Sequence, residues 1–280
     1  MDRFKDKVAF VMGAAGKRGM GHAIALRLAQ EGANLVIADK HEAPRSLFAG
    51  DEDWGGLQEE VREIESLGRE ALAIKTDICK SAEVDKAVET AIGKFGKIDI
   101  LVNCAGIIPP IPVPLTEITD DVWNEVLAVN LTGAFFISRS VGKNMIRRNE
   151  GGKILHISSL SGKKATIHSA PYGASKFGIV GIVQSLALDL APFKINVNTI
   201  CPGAIMTNFG DERHQLMAHS EGLSVTEIKK RRYGEIATKI PLGRVGVAND
   251  VADLALFLVS NHADYMTGQA INFTGGMWMT

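Results

Sequence analysis

The chain has 280 residues, of which 46% are apolar, and its 31 basic and 32 acidic side chains leave a formal net charge of −1. A chain of this length can bury a substantial core, and no linker rich in Pro, Gly or Ser divides it, so we expect one domain spanning residues 1–280. The balanced charge gives no support to binding of nucleic acid or a membrane surface through general electrostatics.

The N-terminal residues lack the apolar core of a signal peptide, and no apolar run approaches membrane-spanning length, so a cytoplasmic protein is expected. The three cysteines, Cys79, Cys104 and Cys201, are far apart and lack metal-ligand spacing. This pattern predicts free thiols in a reducing compartment and no metal site.

The N-terminal segment predicts a βαβ unit. Residues 7–12 form a short apolar strand, residues 13–21 a glycine-rich turn, and residues 34–38 a second strand after a helix. Glycines in such a turn let the backbone approach a pyrophosphate, while the free N–H groups at the start of the helix favour its negative charge. The predicted contacts are Gly13, Gly19, Met20 and Gly21.

Asp39 closes the second strand, where a carboxylate can hydrogen-bond both ribose hydroxyls of an adenosine and repel a 2′-phosphate. A P-loop does not fit, because Val11 stands where its first glycine belongs and Arg18 where its Ser or Thr belongs. A methyltransferase also binds adenosine at such a turn, but that class of enzyme offers no role for Tyr172 and Lys176, two residues that are described below as a pair at helical spacing.

Strands and helices continue to alternate along the chain, which predicts an α/β fold with a Rossmann-type, doubly wound parallel sheet and helices on both faces. The further predicted strands are residues 71–75, 98–103, 153–157, 194–200 and 269–273, and the further predicted helices are residues 57–67, 82–95, 120–145, 172–190 and 249–260. In such sheets the ligand lies at the carboxyl ends of the strands.

Tyr172 and Lys176 lie four residues apart, so a helix places them on one face at adjacent turns. An ammonium beside a phenol favours the phenolate, and we therefore predict that Lys176 lowers the pKa of Tyr172 to make a general acid/base. Ser159 ends an apolar run thirteen residues upstream of Tyr172, where it could donate a hydrogen bond to a reacting oxygen.

From about residue 5 to residue 276 the chain resembles the short-chain dehydrogenase/reductase family. The resemblance rests on the motifs named above, on Asn103-Cys104-Ala105-Gly106, on Asn130 in Val129-Asn130-Leu131, and on Pro202-Gly203-Ala204-Ile205-Met206-Thr207. It implies a catalytic set of Asn130, Ser159, Tyr172 and Lys176. It also implies dinucleotide contacts at Asp77, Ile78, Asn103, Ala105, Gly106, Tyr172, Lys176, Pro202, Gly203, Ile205 and Thr207.

The implied reaction is hydride transfer between a small secondary alcohol and a nicotinamide cofactor, with a ketone as the product. Lys176 also holds the nicotinamide ribose in this scheme, and Asn130 positions a water that links Lys176 to solvent. Asp39 favours NAD, although Lys17, Arg18 and Lys40 could each approach the 2′-phosphate of NADP. A catalytically silent regulator that binds the dinucleotide stays open as the alternative.

Four departures from the family pattern stand out. Met12 replaces the usual threonine, and the longer Gly13-to-Gly19 loop is similar to the enoyl-reductase branch, which however spaces its Tyr and Lys farther apart. Cys104 replaces the second asparagine of its turn. Residues 41–56 form an insertion that we interpret as a surface loop beside the adenosine end.

The sequence defines the substrate-binding residues less well than the cofactor-binding residues. Residues 207–244 are expected to form a lid, and the run 229–232 (Lys-Lys-Arg-Arg) either binds an anionic substrate or is a solvated helix face. His168 could line the substrate pocket, His156 is expected in the core, and the loop 108–114 and Trp123 are assigned to packing. The surplus apolar residues on the two long helices predict a second burial partner. The family resemblance implies a homotetramer, or at least a dimer through these helices, with the C-terminal Trp278 at a second contact; Trp278 could instead fold over the chain's own pocket.

Overall fold

The computed structural model describes residues 2–44, 48 and 51–280. Its centre is a seven-stranded sheet in which every pairing is parallel, in the order β3-β2-β1-β4-β5-β6-β9. These strands are β1 (Val8–Met12), β2 (Asn34–Asp39), β3 (Ala71–Lys75), β4 (Ile100–Asn103), β5 (Gly152–Ile157), β6 (Ile195–Pro202) and β9 (Ala270–Phe273). A second, two-stranded sheet that the sequence did not indicate pairs β7 (Ile205–Met206) with β8 (Gly246–Val247).

Helices cover both faces of the large sheet. They are α1 (Met20–Gln30), α2 (Leu57–Ser66), α3 (Ser81–Phe95), α4 (Asp120–Leu127), α5 (Gly133–Arg148), α6 (Ala170–Leu190), α7 (Asp211–Glu221), α8 (Val225–Ala237) and α9 (Ala248–Leu258). Alternate residues of β1 enter opposite apolar layers: Ala9 and Val11 pack with α1 and α9, whereas Phe10 and Met12 pack with α3, α5 and α6. Because both faces of the strand are buried, its sequence is continuously apolar. The predicted doubly wound fold is confirmed.

The strand order reverses between β1 and its two neighbours, because β2 lies on one side of β1 and β4 on the other. The connections after β1 and β4 therefore leave the sheet toward opposite faces and open a crevice at the carboxyl ends of the strands. This crevice is the position at which the fold offers a ligand site.

The predicted helix over residues 120–145 is interrupted in the structure. It consists of α4, a π-helical turn at Ala128–Thr132, and α5. Gly133 follows the turn, and a Cβ there would lie 2.9 Å from two side-chain carbons of Ile78, so only glycine fits at this crossing. Periodicity alone did not separate the two helices, because a π turn adds backbone without a polar break in the sequence.

The expectation that no apolar run approaches spanning length was wrong for α6 and the short turn after it. Residues Ala170–Phe193 have a mean hydropathy of 1.3 over an 18-residue window, and 28% of that window is buried. The helix nevertheless packs on β6 and buries the lysine Lys176 on its inner face. Its apolar outer face is consistent with a core helix that has a second, uncovered side.

The insertion at residues 41–56 is not simply a surface loop, although its residues 45–47, 49 and 50 lie outside the described part of the chain. Asp51 is only 2% exposed, and its carboxylate contacts Lys17 Nζ at 3.3 Å and Arg18 Nε at 2.6 Å. Trp54 Nε1 donates to the carbonyl oxygen of Ala15 at 2.7 Å. The end of the insertion is thus packed onto the glycine-rich loop.

A glycine exchange tests whether this loop fixes the fold. An ideal Cβ on Gly21 would overlap the carbonyl oxygen of Gly13 and lie 2.9 Å from its carbon, whereas a Cβ on the exposed helical Gly93 meets nothing within 4 Å. We expect Gly21→Ala to lower the free energy of unfolding by about 1–3 kcal/mol, and Gly93→Ala to raise it by about 0.5–1 kcal/mol. Denaturant titration of both variants measures this, and equal stability of the two variants would contradict it.

Candidate active site

The glycine-rich loop is shaped by backbone contacts that leave no room for side chains. Gly13 has φ +84°, and a Cβ there would lie 2.6 Å from the backbone nitrogen of Ala105 in the turn after β4. Gly19 N donates to Gly16 O at 2.7 Å and closes the loop immediately before α1. In the described chain no side chain caps the N-terminus of α1, so its first N–H groups face the crevice and suit an anionic group.

Asp39 joins the end of β2 to this loop. Its two carboxylate oxygens accept hydrogen bonds from the backbone nitrogens of Ala15, at 3.2 Å, and His41, at 3.1 Å. Burial raises the pKa of Asp39, and these hydrogen bonds oppose the rise. A carboxylate held in this way keeps a fixed orientation at the wall of the crevice.

The three cations that could have met a 2′-phosphate are each beside a carboxylate. Lys17 and Arg18 contact the buried Asp51, and Lys40 Nζ lies 3.5 Å from Asp77 Oδ2. The Asp77 carboxylate also accepts from Cys79 N, and these partners hold its pKa below the usual value despite its partial burial. Each of these three cations thus contacts a carboxylate, which reduces the positive charge they present to the crevice.

The turn after β4 is held by two asparagines. Asn103 Oδ1 accepts from Ala105 N at 3.2 Å, while Asn130 Oδ1 accepts from Ile107 N at 2.8 Å. Asn130 is fully buried in the π turn, and its Nδ2 donates to Ile107 O and to Ser175 Oγ, each at 3.0 Å. One side chain thus connects the turn after β4 to α6, which explains why the helix is interrupted at this residue.

Ser159, Tyr172 and Lys176 come together at the carboxyl end of β5. Ser159 Oγ accepts from Ser161 N at 3.0 Å, and its hydroxyl proton points toward Tyr172, where its hydrogen bond lowers the pKa of the phenol against the larger raising effect of burial. Lys176 lies one turn after Tyr172 on the same buried face of α6. Its Nζ donates to Ile157 O at 3.0 Å and lies 5.6 Å from the centroid of the Tyr172 ring.

The pKa values of this group correct one prediction. Burial raises the pKa of Tyr172 to about 12, and the hydrogen bond from Ser159 opposes the rise. Burial also lowers the pKa of Lys176 to about 8. The prediction that Lys176 holds the pKa of Tyr172 below its usual value is therefore wrong for this structure, because desolvation exceeds any effect of the ammonium. At neutral pH, Tyr172 is a proton donor.

Two cavities meet at these residues. The first, of about 340 Å³, is the crevice; among its lining residues are Gly13, Gly16, Gly19, Met20, Gly21, Asp39, Asp77, Ile78, Ala105, Gly106, Ile107, Thr207 and Phe209. The second, of about 330 Å³, is lined by Ile108, Pro109, Pro112, Ser161, Thr166, Ile167, His168, Ser169, Tyr172 and Arg213. Ile107 and Ile108 are consecutive, and the rings of Phe209 and Tyr172 lie 6.1 Å apart, so the cavities adjoin beside the Tyr172 ring.

Comparison with known proteins agrees with this geometry. A family model described as "Enoyl-(Acyl carrier protein) reductase" matches residues 13–278. Galactitol 2-dehydrogenase of Agrobacterium fabrum is 35% identical over 278 residues, covering 99% of this chain and 100% of that protein. The chain belongs to the short-chain dehydrogenase/reductase family.

Two further relatives support the assignment. Sorbitol dehydrogenase of Cereibacter sphaeroides is 34% identical over 279 residues, covering 99% of this chain and 100% of that protein. The solved structure of carveol dehydrogenase from Mycobacterium avium, in complex with NAD, superposes with a TM-score of 0.87 at 28% identity and covers 99% of both chains. The chain is thus an oxidoreductase of this family.

The structure brings most of the predicted short-chain dehydrogenase/reductase site to the two cavities, but not all of it. Asn103 lies behind the turn, where its Nδ2 contacts the ring of His156 at 3.3 Å. Gly203 packs against Thr274, and Ile205 lines a separate small cavity with Ile240 and Phe273. Asn130, Ser159 and Lys176 are also not among the residues that line the two cavities, and all of the predicted catalytic and dinucleotide contacts stay predictions.

The histidine expectations agree with the structure. His156 is fully buried and hydrogen-bonded to Ser138 Oγ at 2.9 Å, and burial lowers its pKa to about 4, so it is a neutral core residue. His168 lines the second cavity and adopts φ +55°, a conformation that is uncommon for residues other than glycine.

The packing assignments were partly wrong. Ile108, Pro109 and Pro112 line the second cavity, and Trp123 is 37% exposed. Trp278 folds back along Thr274, and Lys164 Nζ lies 4.7 Å from its ring centroid. The C-terminus thus lies beside the loop of residues 161–169 that lines the second cavity.

The predicted lid over residues 207–244 contains α7 and α8, and its basic run is not a single anion site. Lys229 Nζ pairs with Asp211 at 2.7 Å in the interior, and Arg231 pairs with Glu221 at 2.6 Å. Sequence reasoning missed Arg213, which lines the second cavity from the first turn of α7. Its only sequence signal is a basic residue directly after the acidic pair that opens this helix.

A larger cavity, of about 710 Å³, lies at the opposite, amino end of the strands. Several of its charged side chains are paired with one another: Arg148 contacts Asp99 at 2.9 Å, and Lys153 contacts Asp264 at 2.6 Å. It contains neither the glycine-rich loop nor Tyr172. We therefore assign the active site to the two smaller cavities.

The described cysteines are free, and among the described residues no group of three or more His, Cys, Asp or Glu side chains could hold a metal ion. Burial raises the pKa of Cys79 to about 11 and that of Cys104 to about 12. Both thiols are therefore protonated at neutral pH and poor nucleophiles.

Proposed function

We propose that the protein is an NAD-dependent dehydrogenase that interconverts a small secondary alcohol, of the polyol class, and the corresponding ketone. The observation that carries this proposal is the position of Tyr172, which forms part of the wall where the dinucleotide crevice adjoins the second cavity. A nicotinamide in the crevice accepts or supplies the hydride. The residues around Tyr172 handle the proton and the developing charge on oxygen.

Each catalytic residue has a distinct task. In ketone reduction, Tyr172 donates its proton to the carbonyl oxygen, and its raised pKa keeps that proton available at neutral pH. With a ketone bound, the single Ser159 hydroxyl proton donates a hydrogen bond to the same oxygen instead of to Tyr172. Alcohol oxidation requires the Tyr172 phenolate, so the oxidation direction gains from rising pH.

Lys176 and Asn130 support this chemistry. The Lys176 ammonium has three N–H donors, of which one bonds Ile157 O, so two remain for a ribose hydroxyl or a water. Its Nζ would lie 3.4 Å from a Cβ on Gly106, the same distance as Asn130 Oδ1, so both groups face the turn after β4. This proximity supports the proposed water position between Lys176 and Asn130.

The cofactor proposal rests on charge. Asp39 presents a carboxylate at the expected adenosine ribose, and Lys17, Arg18 and Lys40 are engaged by carboxylates. A 2′-phosphate at this position would be repelled by Asp39, and the nearby cations Lys17, Arg18 and Lys40, among the described residues, already contact carboxylates. The relative solved with NAD supports the same choice.

Two observations support a substrate of the polyol class. The second cavity carries the hydroxyls of Ser161, Thr166 and Ser169, and its volume of about 330 Å³ suits a small molecule. Two relatives that match over their full length are named for galactitol and sorbitol. The alternative of a catalytically silent regulator gains no support, because Asn130, Ser159, Tyr172 and Lys176 are assembled around one site.

Two further proposals concern the cellular location and the oligomeric state of the protein. We infer a cytoplasmic location from the three free cysteines, which suit a reducing compartment. We also infer a homotetramer, or at least a dimer through α5 and α6, because apolar side chains on their outer faces are exposed: Phe135 to 41%, Phe177 to 47% and Leu188 to 79%.

Replacing the acid/base tests the mechanism. We expect Tyr172→Phe to bind NADH nearly as the wild type does, because the ring packing against Phe209 is kept, and to lose about 10²–10⁴-fold in kcat because the transferable proton is gone. Tyr265→Phe, at a fully exposed tyrosine, is the matched control and should keep normal turnover. A Tyr172→Phe enzyme with near-normal kcat would show that another group transfers the proton.

Replacing the ribose carboxylate tests the cofactor. Asp39→Ala and Asp39→Asn remove the charge that opposes a 2′-phosphate, so we expect the ratio of kcat/KM for NAD over NADP to fall by about tenfold or more. The exposed Asp53→Ala in the neighbouring insertion should leave this ratio unchanged. A wild-type preference for NADP would overturn the role given to Asp39.

Light scattering tests the assembly. We expect the wild type to give a dimer or tetramer mass, and Leu188→Glu to reduce it, because a carboxylate placed on the outer face of α6 cannot be buried without a partner. Leu67→Glu, at a leucine that is 41% exposed after α2, is the control and should keep the wild-type mass. A monomer mass for the active wild type would exclude the proposal.

A further inference from the structure

The second cavity holds one guanidinium whose charge is uncompensated. Arg213 lines it together with Tyr172, and no aspartate or glutamate is among the lining residues. Within the described chain, Arg213 forms no hydrogen bond or ion pair of its own. His168 is the other basic side chain at this wall, and Ser161, Thr166 and Ser169 supply hydroxyls.

Three of the four lysines and arginines of α8 have partners, and the fourth, Lys230, is exposed. Lys229 is buried against Asp211, and Arg231 is paired with Glu221. Arg232 donates to the sulfur of Met217 at 2.9 Å. The described part of the lid therefore provides partners for Lys229, Arg231 and Arg232 but none for Arg213, which lines the second cavity.

The position of Arg213 also runs against helix electrostatics. It lies in the first turn of α7, after the acidic residues Asp211 and Glu212, at the end of the helix that carries partial positive charge. Partial burial, with a smaller contribution from the charge of Arg232, lowers its pKa, although a guanidinium stays protonated at neutral pH. Neither packing nor helix stability accounts for an arginine at this place.

We propose that Arg213 is a specificity-determining residue that binds an anionic group of the substrate, a carboxylate or a phosphate at the end of a polyhydroxylated chain. Tyr172 lines the same cavity, so one small molecule can present its secondary hydroxyl to Tyr172 and its anion to Arg213. A guanidinium recognises both anions through paired N–H donors. This inference rests on the proposed dehydrogenase function and narrows its substrate from a polyol to a polyol acid or polyol phosphate.

The test compares three probes with the same six-carbon chain: sorbitol, which is neutral, gluconate, which ends in a carboxylate, and sorbitol 6-phosphate. Oxidation of each with NAD is measured for the wild type, Arg213→Gln, Arg213→Lys and Lys230→Gln. Lys230 is an exposed lysine of the same lid that lines neither cavity, so Lys230→Gln removes one positive charge nearby and serves as the control.

We expect the wild type to prefer one of the two anionic probes to sorbitol. Arg213→Gln should lower kcat/KM for that probe by about 10- to 100-fold, through a higher KM rather than a lower kcat. The same substitution should change kcat/KM for sorbitol by less than about threefold. Arg213→Lys should give a kcat/KM for that probe between those of the wild type and Arg213→Gln, and Lys230→Gln should match the wild type. Preference for gluconate or for the phosphate identifies which anion is bound.

Equal losses for all three probes in Arg213→Gln, or a wild-type preference for sorbitol that Arg213→Gln leaves unchanged, would overturn the inference. A binding measurement without cofactor separates it from the proposed function. An anionic probe should raise the melting temperature of the wild type but not of Arg213→Gln, whether or not hydride is transferred. If every probe shifts the melting temperature of the wild type and of Arg213→Gln equally, the role of Arg213 is overturned. If neither neutral nor charged alcohols are turned over, the dehydrogenase proposal is overturned.

Discussion

The site depends on the contact between two stretches of backbone. The glycine-rich loop after β1 lies directly against the turn after β4, so close that a Cβ on Gly13 would lie 2.6 Å from Ala105 N. This contact exists because β1 and β4 are neighbours whose connections leave toward opposite faces of the sheet. Asn130 then ties the same turn to α6, which carries Tyr172 and Lys176. These few contacts therefore fix the wall of the cofactor crevice and the acid/base Tyr172 relative to each other.

Much of this could be predicted from the sequence, because the signals are local. An apolar run followed by glycines, a Tyr and a Lys at helical spacing, and a serine at a strand end each fix their own geometry within a few residues. The alternation of strands and helices then places those ends in one crevice. The strand bounds shifted by at most about two residues, as is usual where the apolar pattern is continuous.

What the sequence did not show depends on contacts between distant residues. The packing of Asp51 against Lys17 and Arg18 joins residues more than 30 positions apart, and nothing in residues 41–56 marks which acidic side chain turns inward. The raised pKa of Tyr172 follows from burial, which the spacing of Tyr172 and Lys176 does not report. Arg213 reaches the second cavity only because α7 folds over it, so its importance could not be seen in a run of charges.

The insertion changes the electrostatics of the dinucleotide loop as a whole. Lys17 and Arg18 would otherwise give this loop a positive field, but the buried Asp51 lies between them and cancels part of it. The loop then attracts an anion through N–H groups at contact range rather than through charge acting over distance. Dissolved ions screen charge over about 8 Å at physiological ionic strength, so the part of cofactor affinity that depends on the salt concentration is smaller here than two unpaired cations would make it.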